Sequence, residues 1–160
     1  MASSAEETLR ATMEKTLRKF LDGYVDASTH QDATLVSTTL TAECKRKLAP
    51  DSVMVALGAP PGPALSVKEY EHIYSQSLPV ARSVSVDVTH LSVDTGSKTG
   101  AARTVYVNRY IDGEEIVLDM AWFVSFAEDG EKVSDILQYV DGLEFVKWEA
   151  RARELLEKQK

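Results

Sequence analysis

The sequence predicts an α+β fold in which a curved, mainly antiparallel sheet carries helices on one face with a pocket between. Residues 101–111, 115–126 and 132–141 are apolar runs separated only by the short turns at Asp112-Gly113 and Glu128-Asp129-Gly130. Asp-Gly between β-rich runs is a hairpin signal, because Gly reaches positive φ without strain and Asp tolerates it. Segments of helical periodicity precede this meander, and another closes the chain. A sheet flanked in this way buries one face against helices.

Near the start, Ser3 or Ser4 precedes Glu6 and Glu7 at capping-box spacing. Leu9, Met13, Leu17, Phe20, Leu21, Tyr24 and Val25 then recur on one helical face. This predicts an amphipathic helix ending near Ala27. Residues 28–32 form a connector with Asp32 as N-cap of a short second helix to about Ser37. Residues 38–49 end at Pro50 and read as a strand in their second half, with Leu40, Ala42, Cys44, Arg46 and Leu48 on one side. Pro60, Pro61 and Pro63 make 59–64 a loop or rim element. Ser66, with Glu69 three residues on, opens a helix that carries Tyr70, Ile73, Tyr74 and Ser77 along one face until Pro79. In 81–94, Val84, Val86 and Val88 alternate with Ser83, Ser85 and Asp87, as in a strand with one wet face. Residues 95–100 form a turn. A terminal helix from about 143 to 159 aligns Phe145, Trp148, Ala152, Leu155 and Leu156. No repeat interrupts the chain, so residues 1–160 read as one domain of order α-α-β-α-β-β-β-β-α.

At 160 residues and 44% hydrophobic, the chain has enough apolar material for one real core. A net charge of -7 argues against nucleic acid or an anionic membrane surface as partner. No run approaches the roughly 20 apolar residues of a membrane span, and the N-terminal residues lack a signal-peptide core, so a cytoplasmic protein is expected. One cysteine, Cys44, excludes an internal disulfide and a cysteine-rich zinc cage; it reads as a small buried side chain. His30 and His90 join no ligand cluster, so no metal site is expected. Ser-His-Asp order, glycine-rich phosphate loops and His-Glu-x-x-His are absent.

Several short pieces, taken in order and spacing, carry a family likeness: Cys44 followed by Pro50, Ser52 and Val53, then Gly58-Ala59-Pro60, then Tyr70 followed by Pro79. Val86-Asp87-Val88, residues 127–133 and Tyr139-Val140-Asp141 complete the set. Over about residues 8–142 the chain resembles the nuclear-transport-factor-2-like superfamily. Within it, the chain is similar to the small SnoaL-like isomerases and cyclases of fungal polyketide, meroterpenoid and indole-alkaloid pathways. The resemblance implies a cone-shaped fold and cofactor-free proton transfer in a mostly apolar pocket. It also implies an aromatic pocket position at Tyr24. The chain departs from the pattern at four places: Gln138 stands for an acid, Met120 for a tyrosine, Arg46 for a histidine, and Leu40 near an expected arginine.

Candidate site residues follow from the strand patterns. Arg46 shares a face with apolar neighbours, so it either snorkels to the rim or points inward as an oxyanion stabiliser. Asp119 sits in a strongly apolar run; it is either a desolvated acid or base, or an outer-face residue at a subunit contact. Tyr106, Asn108 and Tyr110 alternate on one face, and a two-residue hairpin loop would set Tyr106 opposite Asp119. That surface either polarises a carbonyl or forms a wet dimer interface. With the opposite parity, Val105, Val107, Met120 and Trp122 line the cavity, with Gln138 as its hydrogen-bonding group. His72 titrates near neutrality but lies off the Tyr70, Ile73, Tyr74 stripe. Tyr24 and Tyr70 are further pocket candidates.

The expected function is isomerisation or cyclisation of a hydrophobic, polycyclic, carbonyl-bearing natural-product intermediate. The catalytic candidates are Arg46, Asp119 and His72. The alternative is a non-catalytic module of the same fold that binds a hydrophobic ligand or pairs with another chain. A plain scaffold without a cavity is a third possibility. Because 116–126 is apolar on both faces, a homodimer packed through sheets is expected.

Overall fold

Ser3 accepts a hydrogen bond from the Glu6 amide and so starts helix α1, Ser4–His30, in the computed structural model, which describes Met1–Lys160. The helix runs three residues past its expected end. It stops where Gln31 enters the left-handed region at φ 53° and returns its N–H to the Ala27 carbonyl. Met13, Leu17, Phe20, Leu21 and Tyr24 form its buried stripe. The Asp32 cap is present, but the turn it opens, Ala33–Ser37, is a 3-10 helix.

Strand β1 (Leu40–Ala49) is followed by a six-residue helix α2 (Asp51–Ala56) that the sequence pattern did not announce. Val53 is buried, and lies where a side chain at Gly142 would touch it. Helix α3 (Val67–Ser77) opens on the expected reciprocal capping box of Ser66 and Glu69. Strands β2 (Ala81–Asp94), β3 (Thr99–Tyr110), β4 (Glu115–Phe126) and β5 (Val133–Val140) follow, and α4 (Gly142–Lys158) closes the chain behind the N-cap Asp141.

The five strands form one sheet of order β1-β5-β4-β3-β2. Only the β1–β5 pair is parallel. Helix α1 covers one face of this α+β sheet: the Phe20 and Trp122 rings meet edge to face at 5.4 Å, and the Tyr106 hydroxyl donates to the Leu21 carbonyl at 2.5 Å. Register shifts between Ser83 and Ser85 and between Thr89 and Ser92 bend β2, the second with His90 at φ 52°. The first shift breaks the expected valine alternation: Val84 is exposed while Val86 and Val88 are partly buried. An extra residue in one strand exchanges the faces of every residue beyond it.

The same rule decides the β3–β4 hairpin. Its loop has three residues, not two: Gly113 donates to the Tyr110 carbonyl, Tyr110 donates to Glu114, and Gly113 takes φ 93°. This is the geometry of a turn followed by a glycine bulge. Arg109 therefore pairs with Glu115, Tyr106 with Leu118 and Val105 with Asp119, which corrects the expected Tyr106–Asp119 pairing. Tyr106, Asn108, Met120 and Trp122 are all buried on the helix-covered face, and Asp119 lies on the other. No helix is long and apolar enough to cross a membrane.

Candidate active site

A cavity of about 690 Å³ opens between the covered sheet face, α3, α4 and the proline loop. Its walls are mainly apolar: Leu118, Met120 and Trp122 from β4, Tyr70 and Tyr74 from α3, Phe145, Trp148 and Leu156 from α4. The predominance of hydrophobic lining with a few polar groups is the usual make-up of a small-molecule site.

Arg46 is the cavity's most unusual residue. Its backbone is held from two sides. It pairs with β5 at Ile136, and it exchanges hydrogen bonds of 2.9 and 2.7 Å with Leu65 at the end of the proline loop. The side chain turns inward and is 4% exposed. Its guanidinium carbon lies 3.5 Å from the centre of the Tyr70 ring, with Phe20 and Tyr24 at 5.6 and 5.7 Å. One guanidinium nitrogen, Nη1, donates to the Tyr24 hydroxyl, while Nη2 is buried without a partner. Burial acts against the charge, but a guanidinium does not give up its proton in a protein, and Tyr24 and Tyr70 favour the charged form. Aromatic faces and a phenol oxygen supply most of the compensation.

The neighbouring phenols are acids that stay protonated. Burial pushes Tyr24 and Tyr106 well above their ordinary value, with Arg46 pulling each the other way, and burial pushes Tyr74 up to about 12. Tyr106 spends its proton on α1, so it pins the helix to the sheet. Asn108 accepts a 2.7 Å bond from Ser83, and Gln138 directs its amide at the Met120 sulfur, 3.2 Å away. Trp122 donates to Thr104 at 2.7 Å, which leaves its ring as wall. Thus Tyr24, Arg46, Tyr70, Tyr106, Asn108, Met120, Trp122 and Gln138 converge on one cavity, whereas the alternative that joined Val105 and Val107 to Met120 and Trp122 does not hold.

Two expected catalytic residues lie elsewhere. Asp119 faces outward and forms a two-bond ion pair with Arg103, at 3.0 and 2.6 Å. The hydrogen bonds from Arg103 hold its carboxyl below the usual range, against a small opposing effect of burial. Its carboxylate faces solvent, and it does not line the cavity. His72 is exposed on the outer side of α3, with only Gln76 at 3.3 Å beside its ring. No group of three His, Cys, Asp or Glu side chains is placed to hold a metal ion.

Among the cavity residues not singled out as site residues from the sequence are Ser83, Tyr74 and Glu149. Glu149, on α4, is partly buried, and burial raises its carboxyl above the ordinary value while Arg153 pulls it down. A signal for it existed. Position 149 is four residues after Phe145 and three before Ala152, so a charge interrupts the apolar stripe.

No family model matches the sequence, and no curated protein matches it. Solved structures do. The pinacolase BvnE of Penicillium brevicompactum superposes with a TM-score of 0.71 at 14% identity, over 97% of each chain. PrhC of Penicillium brasilianum gives 0.64 at 13% identity, over 91% of this chain and 97% of that one. A Catenulispora acidiphila protein with a ketosteroid-isomerase-like fold gives 0.54 at 13% identity, over 76% and 84%. The chain has the nuclear-transport-factor-2-like fold. The expected cone, a bent sheet wrapped on helices around a pocket, is what the structure contains.

Proposed function

We propose that this chain is a cofactor-independent isomerase or cyclase that moves protons on a polycyclic, carbonyl-bearing natural-product intermediate of polyketide or meroterpenoid type. The observation that carries the reading is Arg46: a buried guanidinium, fixed by Tyr24 and Tyr70, in the wall of a largely apolar cavity. A fixed charge in a dry site stabilises a developing enolate more than the neutral ketone, because it needs no reorganisation when the charge forms. Glu149 is the proton carrier. Its carboxylate takes a proton from the carbon next to the carbonyl, the carbonyl oxygen becomes an enolate beside Arg46, and Glu149 returns the proton to another carbon. A carboxyl with a raised pKa is suited to both halves of that exchange. Tyr70, Met120 and Trp122 shape the apolar guest, and Asn108 orients its polar atoms. The fold shared with a protein named as a pinacolase supports the reading.

The test is exchange of the α-hydrogens of 2-tetralone in deuterated buffer, followed by NMR. Acceleration over buffer is expected, with a fall of roughly 10²-fold or more in Arg46→Met and in Glu149→Gln. Exchange no faster than buffer would refute the enzyme reading. The second reading, a non-catalytic hydrophobic-ligand module, draws on Gln138, whose amide is occupied by the Met120 sulfur. Tight binding of 2-tetralone without exchange would favour it.

A further inference from the structure

The charges lining the cavity fall into two neighbouring pairs and one residue left over. At the rim, Lys47 lies 3.8 Å from Asp51. On α4, Arg153 is the charged group acting on Glu149. Arg46 has no carboxylate: the groups that act on it are Tyr24, Tyr70 and Cys44, and it forms no salt bridge. Cys44 is no counter-ion, since burial pushes its thiol up to about 11. The chain as a whole carries a net charge of -7, yet the inner end of its cavity holds a lone positive one. A buried charge is ordinarily paired, because an uncompensated one is costly in a low-dielectric interior.

We infer that the cavity binds its guest as an oxyanion set against Arg46, the guest being a fused-ring carboxylate or enolised 1,3-dicarbonyl. The single side-chain hydrogen bond of Arg46 uses Nη1, so Nε and the buried Nη2 are left without a partner. Two nitrogens of one fork match the two oxygens shared by both anions. The 3.5 Å stack on Tyr70 keeps the fork in one plane, and the apolar walls accept the rings. A compound acidic enough to ionise beside Arg46 needs less help from a base.

This rests on the proposed function only in taking the cavity as the guest site, and binding tests it apart from turnover. Affinities of 2-naphthoic acid, 2-naphthamide and 2-acetyl-1-tetralone are measured by calorimetry at pH 7 with the full chain and with Arg46→Met. The naphthoate or the dicarbonyl binds roughly tenfold or more tightly than the amide, and Arg46→Met removes the preference. The ultraviolet spectrum of bound 2-acetyl-1-tetralone shows its enolate forming at lower pH than in buffer; this arm separates a dicarbonyl guest from a carboxylate one. Equal or tighter binding of the amide to the full chain overturns the inference even if Arg46→Met does not fold. So does an anion preference that survives in a folded Arg46→Met. Anion preference without deuterium exchange into 2-tetralone sustains the inference and sinks only the enzyme reading. Failure of all three probes to bind sinks the inference.

Discussion

The guanidinium of Arg46 lies 3.5 Å from the centre of the Tyr70 ring, and the same guanidinium donates to the hydroxyl of Tyr24. One aromatic from α3 and one from α1 thereby hold a charged side chain that belongs to a strand. Three elements meet at one buried cation, so the site and the fold share a support.

Replacing Tyr24 by Phe leaves the Arg46 Nη1 group buried without an acceptor. The expected loss of stability is about 1.5–3 kcal/mol, as for a hydrogen bond to a charged group. Urea unfolding checks it. Tyr70→Phe, which keeps the ring face, is expected to cost less than Tyr70→Leu.

Glu149 gives a pH signature. Burial raises its folded pKa above the unfolded value, so the folded chain binds the extra proton. Its contribution to stability is complete below the unfolded pKa, near 4.5, and is lost as pH rises through the folded pKa. Glu149→Gln is therefore expected to stabilise the chain at pH 7 more than at pH 4, while slowing 2-tetralone exchange. Thermal unfolding at the two pH values, compared with the original chain, measures the difference.

Asp119 supplies the contrast. Its carboxyl is solvent-facing and paired with Arg103, so Asp119→Asn is expected to leave the deuterium-exchange rate within about twofold of the original. A loss of the size seen for a true acid or base, on the order of 10²-fold, would place the chemistry outside the cavity described here.

The outer sheet face exposes Val117, Phe123 and Tyr139, and the Phe123 and Tyr139 rings meet at 6.0 Å across β4 and β5. We propose that this face pairs two copies of the chain, because exposed apolar side chains on one sheet face mark an interaction surface. Light scattering after size exclusion should give twice 17.6 kDa, and Phe123→Asp should give the monomer mass. A monomer in the original chain would contradict the pairing.

Gly130 tests the packing of α1 on the sheet. At φ 73°, a Cβ there would meet the Met13 Cγ at 2.7 Å and the Leu9 Cδ1 at 3.0 Å. Gly130→Ala is expected to destabilise the chain by about 1–3 kcal/mol, by strain and overpacking together. Denaturant midpoints would register it.

The long elements were legible from the chain alone because each repeats one physical pattern. Helix α1 has its cap at Ser3 and an apolar stripe of seven residues, α3 has its reciprocal Ser66 and Glu69 box, and β3 to β5 have their apolar alternation and Asp-Gly punctuation. The short helix α2 escaped because six residues behind a proline carry too little periodicity to announce themselves. Glu149 escaped although its stripe position was visible, since nothing local distinguishes a helix charge facing a cavity from one facing water.

By itself the sequence determined the α+β class, the order of the main elements and the set of polar residues available for chemistry. The tertiary structure alone decided which of them meet. The physical reason is the two-residue period of a strand: one added residue in the loop at Gly113 pairs Tyr106 with Leu118, puts Asn108 and Met120 inside together and sends Asp119 to solvent. A second non-local contact, Leu65 against Arg46, holds the rim loop beside the strand that carries the cavity's unpaired charge.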